Sequence, residues 1–208
     1  MNSDTPVSTR YTRTAVALHW ALPAALLPNY VLGVYMHELP FSPARLQYYS
    51  WHKWAGVTIL ALSFVRLAWR ISHRPPPDVA MPAWQARLAH ATHPLLYALF
   101  FIVPLVGWAY SSAAGFPIVW FGVLPLPDFV GVDKALAEAI KPWHAAAAFT
   151  LAALVLLHVA AGINHPFLDT DGVLNRMLPG RCFFIVRTVH VGSITLPFFT
   201  GAHPAGWG

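Results

Sequence analysis

The chain has 208 residues, of which 57% are hydrophobic and only 10% charged, with a mean hydropathy of +0.52. A soluble domain carries about 25% charged residues, so this composition argues against an aqueous surface, and the length allows one membrane domain with no sizeable soluble one beside it. The formal charge of +5 gives no reason to invoke nucleic acid; its distribution along the chain is the useful part.

A polar stretch, Met1 to Arg13, precedes the first apolar run, 14–36, TAVALHWALPAALLPNYVLGVYM. Pro23 and Pro28 each remove a backbone donor and crowd the preceding turn, so a kinked helix is expected. No small-residue cleavage site of the secretory type is seen, and the run reads as a retained span. The second span, 51–70, is WHKWAGVTILALSFVRLAWR, closed by Pro75-Pro76-Pro77. The third, 87–110, contains Pro94 and Pro104. Residues 111–141 are expected outside as a loop, with PLPDFVGVDKALAEAIKP supplying a short helix. The fourth span, 142–163, is PWHAAAAFTLAALVLLHVAAGI, with Pro142 in its first turn. Each run can cross about 30 Å of hydrocarbon. Nine tryptophans and seven tyrosines suit the aromatic belts of the two interfaces.

With the N-terminus inside, Arg10, Arg13, Arg66, Arg70, Arg74, Arg87, Arg176, Arg181 and Arg187 fall on the inner side, against Arg45, Lys53, Lys134 and Lys141 outside. Basic residues accumulate in cytoplasmic loops, so both termini are expected in the cytoplasm. The expected fold is an all-α, integral membrane four-helix bundle over residues 10–181. The remaining tail, 182–208, is too short and interrupted to span, and reads as an interfacial segment or a loosely ordered end. Cys182 is the only cysteine, which excludes an intrachain disulfide and a cysteine-based metal site.

Ionisable side chains inside a bilayer are costly and mark functional sites. His144 and His158 are fourteen residues apart on one predicted helix, about 21 Å along its axis and within about 40° of the same direction. Each has a counterpart at its own depth: His19 lies near the inner end of the first span, level with His158, and His52 at the outer start of the second, level with His144. The pairs His19/His158 and His52/His144 follow from depth. Paired imidazoles suit a low-spin haem b, whose filled axial positions favour one-electron transfer. No CxxCH attachment sequence is present, so such a haem is held non-covalently. Gly56, four residues after His52, suits either a close porphyrin approach or a small-residue helix contact. A haem-free metal or proton carrier would also use intramembrane histidines, but none of the eight acidic residues falls within the spans.

RYTRTAVALHW, WHKWAG, SFVRLAWR, HATHPLLYALF, KPWH with an LH pair fourteen residues on, and LNRMLPGR together resemble the bacterial cytochrome b561 family of small di-haem membrane cytochromes. The stretches cover about residues 10–181 in family order. The resemblance implies a four-helix bundle with two haems ligated by the same two pairs. It further implies a bacterial inner-membrane protein that passes electrons to ubiquinone, either as a superoxide oxidase-like enzyme or as an electron-transfer subunit for a partner dehydrogenase or hydrogenase.

Lys53 and Lys141 adjoin His52 and His144, where positive charge would guide an anion such as superoxide, or snorkel to head groups or a haem propionate. Arg66 lies deep enough for a propionate of the inner haem to compensate its charge, with snorkelling as the alternative. His90, His93 and above all His165 are candidates for delivering protons to a quinone, since imidazole titrates near neutral pH. No flavin or nicotinamide fingerprint is present, so an organic hydride donor would have to bind another protein.

Overall fold

The computed structural model describes residues 10–78, 82–168, 176–177, 185–191 and 194–200; the side chains of 163–168 and of the last two stretches lie outside the description. Four helices dominate it: α1 (Arg13–Glu38), α2 (Pro43–Ser72), α3 (Ala83–Ala113) and α4 (Lys134–Leu168). All four are long and apolar enough to cross a membrane. Their outward residues include Val31, Phe64, Leu156 and Leu157, each more than half exposed, which suits hydrocarbon and not water.

Local chemistry sets the starts. The Thr12 hydroxyl accepts from the Ala15 amide and opens α1. Ser42 does the same for Arg45, with Pro43 in the first turn of α2. Pro23 and Pro28 stay inside a continuous α1, and Pro94 and Pro104 inside α3.

Two expectations fail here. Pro142 is not the start of α4, and 134–141 is not a separate short helix. The Asp133 carboxylate accepts from the Ala135 and Leu136 amides, which opens α4 at Lys134, eight residues earlier than expected; Pro142 costs that helix only one backbone bond. Nor is the chain wholly helical. Val119–Trp120 (β1) and Leu124–Pro125 (β2) pair in the connection between α3 and α4, turning through Phe121 and Gly122 at φ 50° and 73°. Within the tail, Ile185–Val191 (β3) and Ile194–Thr200 (β4) pair antiparallel from Ile185↔Thr200 to Val191↔Ile194. Their valines, isoleucines and threonines favour strands, and Gly-Ser stands between the two runs.

The helices pack in chain order, α1 on α2, α2 on α3 and α3 on α4. Leu22, Ile59, Leu96, Leu99, Phe100, Leu151 and Val155 form a buried cluster drawn from all four. Leu151, 2% exposed, is seven residues from both His144 and His158, so this apolar layer lies midway between the two histidine levels.

Candidate functional site: two imidazole pairs

One end of the bundle is covered by the 114–133 connection and is called the loop end; the chain enters at the other, the terminal end. At the loop end His52 of α2 faces His144 of α4, ring centres 6.1 Å apart and planes at 86°. Both helices begin further out than expected, yet the levels still match, because His52 is nine residues past Pro43 and His144 ten past Lys134. His52 Nδ1 donates to the Asn29 carbonyl at 3.2 Å, and His144 Nδ1 to that of Val103 at 3.1 Å. A carbonyl only accepts, so both rings carry their proton on Nδ1 and leave Nε2 free to bind a metal.

Each ring also lies against a glycine. A Cβ at Gly33 would stand 3.0 Å from His52 Cε1, and one at Gly107 only 2.7 Å from His144 Cε1. Sequence reasoning missed both glycines. The available signal was glycine inside an apolar helix, which marks close packing, but the sequence does not say what packs there.

At the terminal end His19 of α1 faces His158 of α4, again with ring centres 6.1 Å apart but planes at 61°. Here side chains do the holding. Arg66 Nη2 donates to His19 Nδ1 at 3.0 Å, and its guanidinium lies 5.3 Å over the Tyr97 ring. The His93 ring meets His158 edge-on at 5.4 Å, while its own Nδ1 donates to the Ala89 carbonyl. An arginine has no acceptor, so His19 here keeps its proton on Nε2. Beyond this end, Arg176 donates to the Pro77 carbonyl and the Trp20 indole to that of Met177, tying the segment after α4 to the bundle.

The other singled-out residues are dispersed. Lys53 Nζ donates to the carbonyls of Phe116 and Pro117, at 3.3 and 3.4 Å, and so anchors the loop. The Trp54 indole, one residue on, donates to Val119 at 2.6 Å. Lys141 is exposed on the loop-end part of α4. His90 pairs with Asp78 at 3.2 Å on the surface. The His165 side chain lies outside the described residues.

The helices that carry opposing histidines are not packing neighbours: α4 meets α1 and α2 only sparsely. Among the described residues, no atom outside their own helix backbone comes within 4 Å of where a Cβ would stand at Gly56 or Gly162, four residues after His52 and His158, so Gly56 makes no tight helix contact there.

Comparison with known proteins now adds to this geometry. The profile of the prokaryotic cytochrome b561 family matches residues 10–180. Cytochrome b561 homolog 1 of Escherichia coli (strain K12) is 30% identical over 83% of this chain and 98% of its own length. Cytochrome b561 homolog 2 of the same strain is 29% identical over 85% and 95%. A protein of Yersinia pestis named probable superoxide oxidase CybB is 27% identical over 83% and 97%. The chain belongs to the prokaryotic cytochrome b561 family: it is a multi-pass bacterial membrane protein that transfers electrons as a b-type cytochrome.

The family implies haem b, and the residues present fit it. A metal ion joined to two imidazoles by bonds of about 2.0 Å needs ring centres about 6 Å apart. Both pairs have that spacing. The loop-end rings already offer Nε2, and the helices bearing the pairs are not packed tightly on each other.

Proposed function

We propose that the chain holds two haems b, one between His52 and His144 and one between His19 and His158, and carries electrons across the membrane from a donor at the loop end to ubiquinone at the terminal end. The observation behind this reading is the repeated 6.1 Å ring spacing at two levels of one bundle, with the Leu151 layer between them. When bound, a bis-imidazole haem supplies reversible one-electron transfer with no open axial position. The protein supplies opposed ligands, the depth of each site and an apolar medium that excludes water.

The basic residues favour the bacterial inner membrane with both termini in the cytoplasm, which puts the loop end outside. Residues 10–181 form the haem domain; 182–208 is an appendage to it. Superoxide suits the donor role, and the likeness to a probable superoxide oxidase supports it. Two superoxide anions lose one electron each to become dioxygen, and one quinone takes up two electrons and two protons to become quinol. Lys53 and Lys141 add positive charge beside the loop-end histidines, which attracts an anion. On the other side Arg66, which donates to His19, would meet a haem carboxylate, and His165, assigned from the sequence alone, would relay protons to the quinone.

A pyridine haemochrome assay with redox titration should give two haems b per chain and two midpoint potentials. The purified chain alone should then oxidise superoxide when ubiquinone is added. A haem-loaded but inert protein would instead favour a membrane subunit that receives electrons from a dehydrogenase or hydrogenase. A colourless preparation from haem-replete cells would end both readings.

A further inference from the structure

The two loop-end histidines are seated in the same way by different helices. On α1, Asn29 gives a carbonyl to His52 Nδ1, and Gly33, four residues on, lies against that ring. On α3, Val103 and Gly107 repeat the arrangement for His144 at the same four-residue spacing. In a helix the carbonyl of one residue points toward the amide four positions later, so carbonyl and glycine form one patch of bare backbone. A side chain at the glycine would hold the ring away from that carbonyl, since the Cβ would stand 3.0 Å or 2.7 Å from Cε1. The terminal-end rings rest on no such patch: among the described residues, no glycine places a Cβ within 4 Å of His19 or His158.

We propose, resting on the reading of His52 and His144 as haem ligands, that Gly33 and Gly107 are positioning residues that fix the rotation of those imidazoles and so cross their planes at the loop-end haem. Each patch fixes both the tautomer and the direction of its ring, and the 86° angle is the product of two helices presenting their patches to one site. Crossed axial rings donate their π electrons to different d orbitals of the iron and leave those orbitals nearly equal in energy. Such a ferric haem has its first electron paramagnetic resonance line at unusually low field. Less crossed rings, as in the 61° pair, move that line to higher field.

The test is low-temperature resonance of the oxidised, haem-replete full chain. The wild-type spectrum should contain one such low-field line, kept in His158→Ala and lost in His144→Ala. Gly107→Ala should move that line to higher field or abolish it while leaving the terminal-end signal in place. Gly33→Ala should shift it less, because its Cβ stands 0.3 Å further from the ring (3.0 against 2.7 Å). A wild-type spectrum without the line overturns the inference, as do glycine variants with unchanged spectra or a variant that loses both haems, since the effect claimed is local to one end. A protein with no haem at all sinks the ligation reading instead, so the two failures are distinct.

Discussion

The two ends of this bundle offer imidazoles at the same separation and hold them by different means. At the loop end both rings are fixed by backbone, a carbonyl for the Nδ1 proton and a glycine beneath the ring. At the terminal end they are met by Arg66 and His93, side chains with rotamers of their own. Backbone cannot turn away, so the loop-end site stands ready for its cofactor. For His19 to bind through Nε2, Arg66 must first release Nδ1, and the haem carboxylate proposed for it is a stronger partner than a neutral ring. On the two-haem reading proposed above, the loop end is thus pre-organised and the terminal end would rearrange on loading.

The largest effects are expected from deleting the proposed ligands. His144→Ala should remove the loop-end haem and halve the haem count in a pyridine haemochrome assay. His158→Ala should do the same at the terminal end. Because the His93 ring is only 5.4 Å from His158, the fully decisive variant is His158→Ala with His93→Ala, which also removes the described imidazole that could take over. Unchanged haem content in either would refute the pairing.

Arg66 separates the two ends next. Arg66→Gln should weaken retention of the terminal-end haem by about tenfold to a hundredfold, the usual cost of losing a partner just behind a ligand, and leave the loop-end haem untouched. Arg66→Lys should fall between, keeping the charge but losing the planar fork. Haem retention on dilution, followed at the two midpoint potentials, reads both. Equal loss from the two sites would remove the distinction drawn above.

Depth was the part of this arrangement most open to reading from sequence. A fixed rise of about 1.5 Å per residue turns the spacing of His144 and His158 into two levels, and no later shift of a helix boundary disturbs that. Boundaries were harder. Proline's preference for first turns points to Pro142 as a helix start, but the Asp133 carboxylate opens the helix before it. Which helix each ring leans on was not readable at all. Gly33 and Gly107 have nothing in their own helices to mark them as seats for residues 19 and 37 positions later; only the packing of α1 on α2 and α3 on α4 brings them there. The charge of Lys53 was visible, but its carbonyl partners at Phe116 and Pro117 depended on the course of an irregular loop.

A single substitution can therefore divide the loop anchoring by Lys53 from the anion-guiding role proposed for it. Lys53→Met removes two hydrogen bonds from a charged donor, a loss of about 2 kcal/mol spread over the loop, and amides of 116–126 should exchange faster. It also removes a positive charge beside the loop-end pair. Superoxide oxidation should slow several-fold at low salt and lose part of its ionic-strength dependence. A variant that slows equally at all salt concentrations would assign Lys53 to the loop alone.

The smallest effect is expected at Asn29, and it tests the backbone argument most directly. Asn29 is 8% exposed, and its Oδ1 is buried without a partner, so the side chain contributes little to offset its desolvation. What His52 uses is the carbonyl of that residue, which every amino acid supplies. Asn29→Ala should change stability by less than about 1 kcal/mol and leave the loop-end haem spectrum as it is. One helical turn away, Gly33→Ala adds a single methyl group and should disturb that spectrum. The residue that furnishes the bond is then replaceable, and the residue that furnishes only room is not. A reversed order of sensitivity would mean that the asparagine side chain, and not the helix backbone, holds the ring.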